Sequence, residues 1–189
     1  MINKTDTSII IQARVGSKRF PKKAIYKLGG YKVIEWVIDR VKKTSNINKI
    51  ILATTNLKED YLLTKIAESK NIDYVQGHPS NVLKRFYDTA KIYSIKNIVR
   101  VCADNPFVSH KFIENLISFF SSNKCDLAFN HIPYKNFSCV DGFGAEIFKI
   151  GLLERILKRN ISKVQKEHVT KYAWDNNKEF NIKAAPVNK

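Results

Sequence analysis

From Gln12 to Lys23 the chain reads QARVGSKRFPKK, and four of its five cations, Arg14, Lys18, Arg19 and Lys23, are the candidates to meet an anion. Residue types in this arrangement suit phosphate. Guanidinium groups fork onto two phosphate oxygens, an ammonium adds a point charge, and a glycine such as Gly16 lets backbone amides approach an anion closely. Groups of this kind offset the charge that builds up as a triphosphate is attacked and pyrophosphate leaves. A basic surface turn is the alternative reading. The spacing matches neither GxxxxGK[ST] nor GxGxxG, so neither a Walker nucleotidase nor a dinucleotide fold is supported. Asp104 is the second candidate. A carboxylate beside a triphosphate is a natural Mg²⁺ ligand, because magnesium is usually held by one or two carboxylates plus substrate phosphates. An Asx-turn cap before Asn105-Pro106 is the other role open to it.

The elements around these residues have to place them in one cleft. Ser8 to Ile11 reads as a buried strand, which Gly16, Ser17 and Pro21 prevent from continuing. Ile50 to Thr54 and Ile98 to Cys102 are β-branched runs suited to central parallel strands, and Tyr74-Val75 is a shorter one. Between them Ile34, Val37, Ile38 and Val41 follow helical spacing, as do Leu62, Leu63, Ile66 and Ala67, then Val82, Phe86, Ala90 and Tyr93. Asn56 and Glu59 predict a capping box at a helix start. Ile113, Leu116, Ile117 and Phe120 make a further helix, and residues 130–144 read as a loop or irregular hairpin inserted beside the sheet. A strand near Ala145 to Phe148, a helix through Leu152 and Ile156, another through Val164, His168 and Tyr172, and a last strand through Phe180, Ile182 and Ala184 follow. Strand and helix alternate, which predicts an α/β, Rossmann-like, doubly wound and mostly parallel sheet in a single domain. In such sheets ligands bind beyond the carboxyl ends of the strands, where both the basic loop and Asp104 fall.

The chain has 189 residues, 44% apolar and 11% aromatic, enough for one α/β domain with a full core. No signal peptide or membrane-length apolar run is read, and a cytoplasmic location is expected. Cys102, Cys125 and Cys139 lack metal-ligand spacing and suit free thiols. The net charge of +16 favours polyanionic ligands in general, but the lysines are spread through every segment, as a Lys/Asn/Ile-rich composition would spread them. There is no nucleic-acid-binding motif, so charge alone gives no reason to expect a nucleic-acid partner. His78, His110 and His131 read as loop or capping residues, and Trp36 and Trp174 as packing residues.

The ordered segments IIQARVGSKRFPKKAI, LGGYKVIEWVIDRV, LATTN, VQGHPSNVLKRFYDTA, VRVCADNP, DGFGAEIF and KEHVTKYAWDNN resemble the cytidylyltransferases of surface-sugar biosynthesis. The spore coat polysaccharide type, related to acylneuraminate and manno-octulosonate cytidylyltransferases, is the most similar. The resemblance runs from about Ile9 to Val187 and implies a nucleotide-diphospho-sugar transferase-like fold. It implies transfer of CMP from CTP to a sugar acid with Mg²⁺, and a homodimer formed partly through residues 130–144. Ala13, Arg14, Gly16, Ser17, Arg19 and Lys23 match the loop that wraps the triphosphate, with Arg14 and Lys23 as charge-stabilising residues. Ala53 and Thr54 match the segment lining the base pocket, and Arg85 matches a position near the nucleotide. Asp104 matches the aspartate that holds Mg²⁺. Asn130, Asp141, Glu146 and His168 fall in segments that border the acceptor, while Arg100, on one strand face with Cys102, supports the cleft wall.

Three departures stand out. Ala103 replaces the usual Gly before the aspartate, and Gly144 stands where the resemblance implies an acidic residue, with Asp141 or Glu146 as substitutes. The family continues past the equivalent of Pro186 into a further strand and helix, often with an aspartate-containing turn, whereas this sequence ends at Lys189. A different nucleoside triphosphate with a sugar phosphate, and a catalytically silent nucleotide-binding homologue, are the alternative functions.

Overall fold

The computed structural model describes residues 6–16, 20–132 and 142–186. Chain order opens with strand β1 (Thr7–Gln12), the ribbon β2 (Lys27–Leu28) and β3 (Tyr31–Lys32), and helix α1 (Val33–Val41). Then come β4 (Ile50–Thr55), α2 (Tyr61–Ser69), β5 (Asp73–Gly77), α3 (Val82–Ile92), β6 (Asn97–Cys102) and α4 (His110–Ser122). The described elements end with β7 (Leu127–Phe129), β8 (Glu146–Lys149), α5 (Ile150–Leu157), α6 (Lys163–Glu167), α7 (Lys171–Asp175) and β9 (Ile182–Ala184). Seven strands form one sheet in the order β5-β4-β1-β6-β8-β7-β9. Within it β8 runs antiparallel to both β6 and β7, and the other paired strands are parallel. The expected mostly parallel α/β sheet is therefore the observed one.

Strand periodicity divides the core into two layers. Ile9, Ile11, Val99 and Val101 point to one face, beneath α1, α2 and α4, while Ile10 and Ile98 point to the other, beneath α3 and α5. β1 is central and Ile9, Ile10 and Ile11 are fully buried, as a strand covered on both sides requires. On the second face Ile98 is followed by Arg100 and Cys102, so the apolar row along β6 gives way to polar groups toward its carboxyl end. The chain leaves β1 and β6 side by side there, with Ala103 N–H donating to Gln12 O at 2.9 Å and Ala13 N–H to Ala53 O at 3.2 Å.

Several local expectations are corrected. The Asn56/Glu59 capping box does not form: Asn56 N–H donates to Gly77 O, and residues Lys58–Asp60 make a 3-10 turn before α2 starts. Asp60, fully buried, takes a hydrogen bond from Val15 N–H and another from the Thr55 hydroxyl, which draws the chain through that turn. The helix expected through Val164, His168 and Tyr172 is two short helices, because His168 between them is extended (φ −110°, ψ 96°) and the Thr170 hydroxyl turns inward to Glu146. The strand Leu127–Phe129 and the two-residue ribbon closed by Gly29 and Gly30, both at positive φ, were not read from the sequence. Of the expected insertion, residues 133–141 lie outside the described residues.

Candidate active site

The basic loop is held at its base by two contacts. Val15 N–H donates to the Asp60 carboxylate at 2.6 Å, and Lys22 N–H donates to Val15 O at 3.0 Å. Lys22 is left-handed (φ 62°), and after it Lys23 begins a 3-10 turn with its side chain reaching the carboxyl end of β6. Ser17 and Arg19, expected on the phosphate, lie outside the described residues, as does Asp141.

Two cavities meet at the carboxyl ends of β1 and β6. The larger, of about 630 Å³, is lined among others by Ala13, Arg14, Val82, Glu167 and His168. The smaller, of about 340 Å³, is lined by Asn105, His131, Gly142, Gly144 and Glu146 among others. Lys23, Arg100, Cys102 and Asp104 line both, so these four residues form the junction between two lobes. Across it Lys23 Nζ donates to Asp104 Oδ2 at 3.0 Å, with both side chains nearly half exposed. In the larger lobe Arg14 Nη2 donates to Glu167 Oε1 at 2.6 Å. Arg14 and Lys23 of the loop therefore each carry an internal carboxylate partner in an open, exchangeable setting.

Arg100 is different. Its Nη1 donates to Glu146 Oε2 at 2.7 Å, its Nε to Gln12 Oε1 at 3.3 Å, and its Nη2, among the described residues, to the Cys102 sulfur at 3.7 Å. Glu146 is buried and also accepts from the Thr170 hydroxyl and from Trp174 Nε1, so both carboxylate oxygens are committed. Burial alone would raise its pKa, but Arg100 and His131 nearby, with the hydrogen bonds from Arg100 and Trp174, hold it below the usual glutamate value. Burial pushes the Cys102 thiol up, against the opposing pull of Arg100, so no thiolate competes for the guanidinium.

The remaining expected site residues fall in two groups. Ala13, Arg14, Lys23, Asp104, Glu146 and His168 line one or both lobes, and Gly16 sits exposed on the loop. Ala53, Thr54, Arg85 and Asn130 line neither cavity, each being nearly or fully buried. Arg85 donates from Nη1 to His78 O at 2.9 Å, while its Nε and Nη2 have no hydrogen-bond partner among the described residues. Burial first, then the nearby Arg14, pushes its pKa down to about 10. The Asn130 side chain spans the chain, donating to Phe112 O and accepting from Ala145 N–H.

That bridge explains Gly144. A Cβ there would stand 2.3 Å from Asn130 O and 2.4 Å from Asn130 Oδ1, closer than atoms pack, so the position excludes the acidic side chain that the resemblance implies. Nor is Glu146 a free substitute, with both oxygens already engaged. Among the described residues no group of three or more His, Cys, Asp or Glu side chains is placed to hold a metal. The open Asp104 carboxylate nevertheless fits the one-carboxylate, several-phosphate mode of Mg²⁺.

Asp60, Glu167, Gln12 and His131 are the site residues that sequence reading did not assign. Glu167 lies in the segment KEHVT, inside the resemblance, but its partner Arg14 is 153 residues away. An acid in the first turn after a strand, as Asp60 is, gives the same sequence signal whether it caps a helix or anchors a loop.

Comparison with known proteins places this geometry in a family context. A sequence model of the family described as cytidylyltransferase matches residues 8–188. An uncharacterised protein of Methanocaldococcus jannaschii is 36% identical over 173 residues, which are 92% of this chain and 69% of that one. The spore coat polysaccharide biosynthesis protein SpsF of Bacillus subtilis is 28% identical over 116 residues, 59% of this chain and 48% of its own length. A 3-deoxy-manno-octulosonate cytidylyltransferase of Leptospira interrogans is 26% identical over 115 residues, 60% of this chain and 46% of its own. The chain thus spans about half the length of the latter two. Among solved structures, a cytidylyltransferase from Leptospira borgpetersenii superposes with a TM-score of 0.88 at 26% identity, covering 98% of this chain and 77% of that one. No described helix is long and apolar enough to cross a membrane.

Proposed function

The chain belongs to the cytidylyltransferase family, and from that premise we propose that it transfers CMP from CTP to a hydroxyl of a sugar acid, releasing pyrophosphate. The observation that carries the reading is the junction itself. The loop cation Lys23 and the strand-end carboxylate Asp104 face each other at 3.0 Å where two lobes of about 630 and 340 Å³ meet. The larger lobe, with Arg14 and the loop, takes the nucleotide, and the smaller takes the acceptor. At the junction an acceptor hydroxyl oxygen forms a bond to the α-phosphorus, the bond from that phosphorus to the bridging oxygen breaks, and pyrophosphate departs with the electron pair. The hydroxyl proton passes to solvent.

Residues of this chain act in that step by position and charge. Lys23 exchanges Asp104 for a phosphate oxygen, and Arg14 exchanges Glu167 for another; both follow the charge as it moves to the leaving group. Asp104, released from Lys23, would hold Mg²⁺ together with phosphate oxygens, and the ion would neutralise the charge that develops on them.

The test is pyrophosphate release with CTP, Mg²⁺ and a panel of sugar acids. Lys23→Ala and Asp104→Ala should each lower turnover by about 10²- to 10³-fold, as loss of one charge-stabilising group does. Wild-type rates in either variant would refute the assignment. Thermal shifts against the four nucleoside triphosphates would test the donor, since only a ligand bound by the native state raises its stability.

A further inference from the structure

A charged side chain in the middle of a sheet is an expensive way to fill space. Arg100 lies on β6, next to the central strand, and its pair with Glu146 is almost closed to water, with side chains 15% and 4% exposed. Buried ion pairs of this kind add little to stability compared with apolar residues of the same volume. The support built around it is elaborate for a structural filler. Glu146 fixes one end of the guanidinium, Gln12 takes the Nε hydrogen, and Thr170 and Trp174 hold Glu146 in turn. What that support leaves over is Nη2, which among the described residues meets a thiol at 3.7 Å, a weak acceptor.

The place of Arg100 follows from the reaction, and this step rests on the proposed transfer to a sugar acid. In an acid whose carboxyl group shares a carbon with the attacking hydroxyl, the carboxylate sits one carbon from the oxygen that attacks phosphorus. It must therefore lie at the junction of the two lobes. Among the described residues four line both: Lys23 and Asp104, which are paired with each other and serve the phosphates, Cys102, whose sulfur is a weak acceptor, and Arg100. We propose that Arg100 is the specificity residue for the acceptor, its Nη2 edge receiving the carboxylate of a sugar acid while Glu146 and Gln12 hold the guanidinium in place. The Cys102 sulfur facing Nη2 is a weak acceptor, which a carboxylate oxygen would displace.

The experiment compares two acids, 3-deoxy-manno-octulosonate and N-acetylneuraminate, with their carboxamides in the pyrophosphate-release assay. It uses wild type, Arg100→Lys and the double variant Arg100→Met/Glu146→Gln, which leaves no carboxylate unpaired. The wild type should prefer an acid over its amide by about 10- to 100-fold in acceptor KM, the worth of a charge-assisted hydrogen bond. Arg100→Lys should keep part of that preference. The double variant should lose it, with CTP affinity by titration within about twofold of wild type, a factor well below the tenfold that 1.4 kcal/mol represents. A wild type that uses acid and amide equally, or a double variant that still discriminates, would overturn the role of Arg100 while leaving CMP transfer intact. Turnover with sugar 1-phosphates and with neither acid would overturn both.

Discussion

Replacing Glu167 by Gln removes the acid that holds Arg14 and keeps its shape. Arg14 Nη2 and Glu167 Oε1 stand 2.6 Å apart, with side chains 35% and 43% exposed. Water screens a pair this open, so its worth is that of a surface ion pair, about 0.2–1 kcal/mol. If Arg14 must leave Glu167 to reach a phosphate, that free energy is subtracted from nucleotide binding, and Glu167→Gln restores it. The dissociation constant for CTP should fall by about 1.4- to 5-fold. Removing a negative charge beside a polyanion acts in the same direction, and both effects are local, since the Debye length at physiological salt is about 8 Å. The assay is calorimetric titration of CTP into both proteins at low and at high salt, where the advantage of the variant should shrink. Weaker CTP binding by Glu167→Gln would refute the reasoning, because it would make Glu167 a group that holds the nucleotide or its metal.

Two further outcomes follow from packing and charge. Gly144→Ala should lower stability by about 1–3 kcal/mol, since the new methyl meets Asn130 O at 2.3 Å and the Asn130 bridge must shift; an unchanged melting temperature would show that the bridge yields freely. Glu146 has its folded pKa below the usual value, so its stabilising contribution is fully present above the ordinary 4.5 and is lost as pH falls through the folded value. Glu146→Gln should therefore lose less stability than wild type on acidification below that point, and parallel melting curves against pH would contradict it.

The strand-helix alternation was legible because β-branched runs and 3.6-residue spacing survive in β1, β4, β6 and their helices. The places of Arg14 and Asp104 beside the cleft were legible for a related reason, since each stands just past the end of such a strand. Leu127–Phe129 escaped because three residues hold too little periodicity, and the reversed direction of β8 depends on how the chain returns, which no local pattern records. His168 sits in a sequence with helical spacing, yet the chain is extended there, two residues before Thr170, whose hydroxyl serves buried Glu146. The pairing of Arg14 with Glu167 and of Lys23 with Asp104 joins residues 153 and 81 positions apart, and only the fold brings them together. Gly144 shows the converse: its departure from the family pattern was visible in sequence, but its reason, the Asn130 bridge, was not.

The net charge of +16 suggests a site that is simply basic, but the cleft is built otherwise. Arg14, Lys23 and Arg100 each have a carboxylate partner, and the three pairs differ in how firmly they are made. The first two are open to water, and breaking them costs about 0.2–1 kcal/mol apiece. The third is buried, and removing one partner from such a pair costs about 3–5 kcal/mol. Exchangeable cations suit phosphates that arrive as triphosphate and leave as pyrophosphate, because the same groups must let go in every cycle. A fixed cation suits an acceptor whose hydroxyl has to be aimed, since aim is lost if the guide moves. Two yielding pairs and one rigid pair in one cleft are thus what the proposed transfer would use, with the loop serving the donor and Arg100 the acceptor on that proposal.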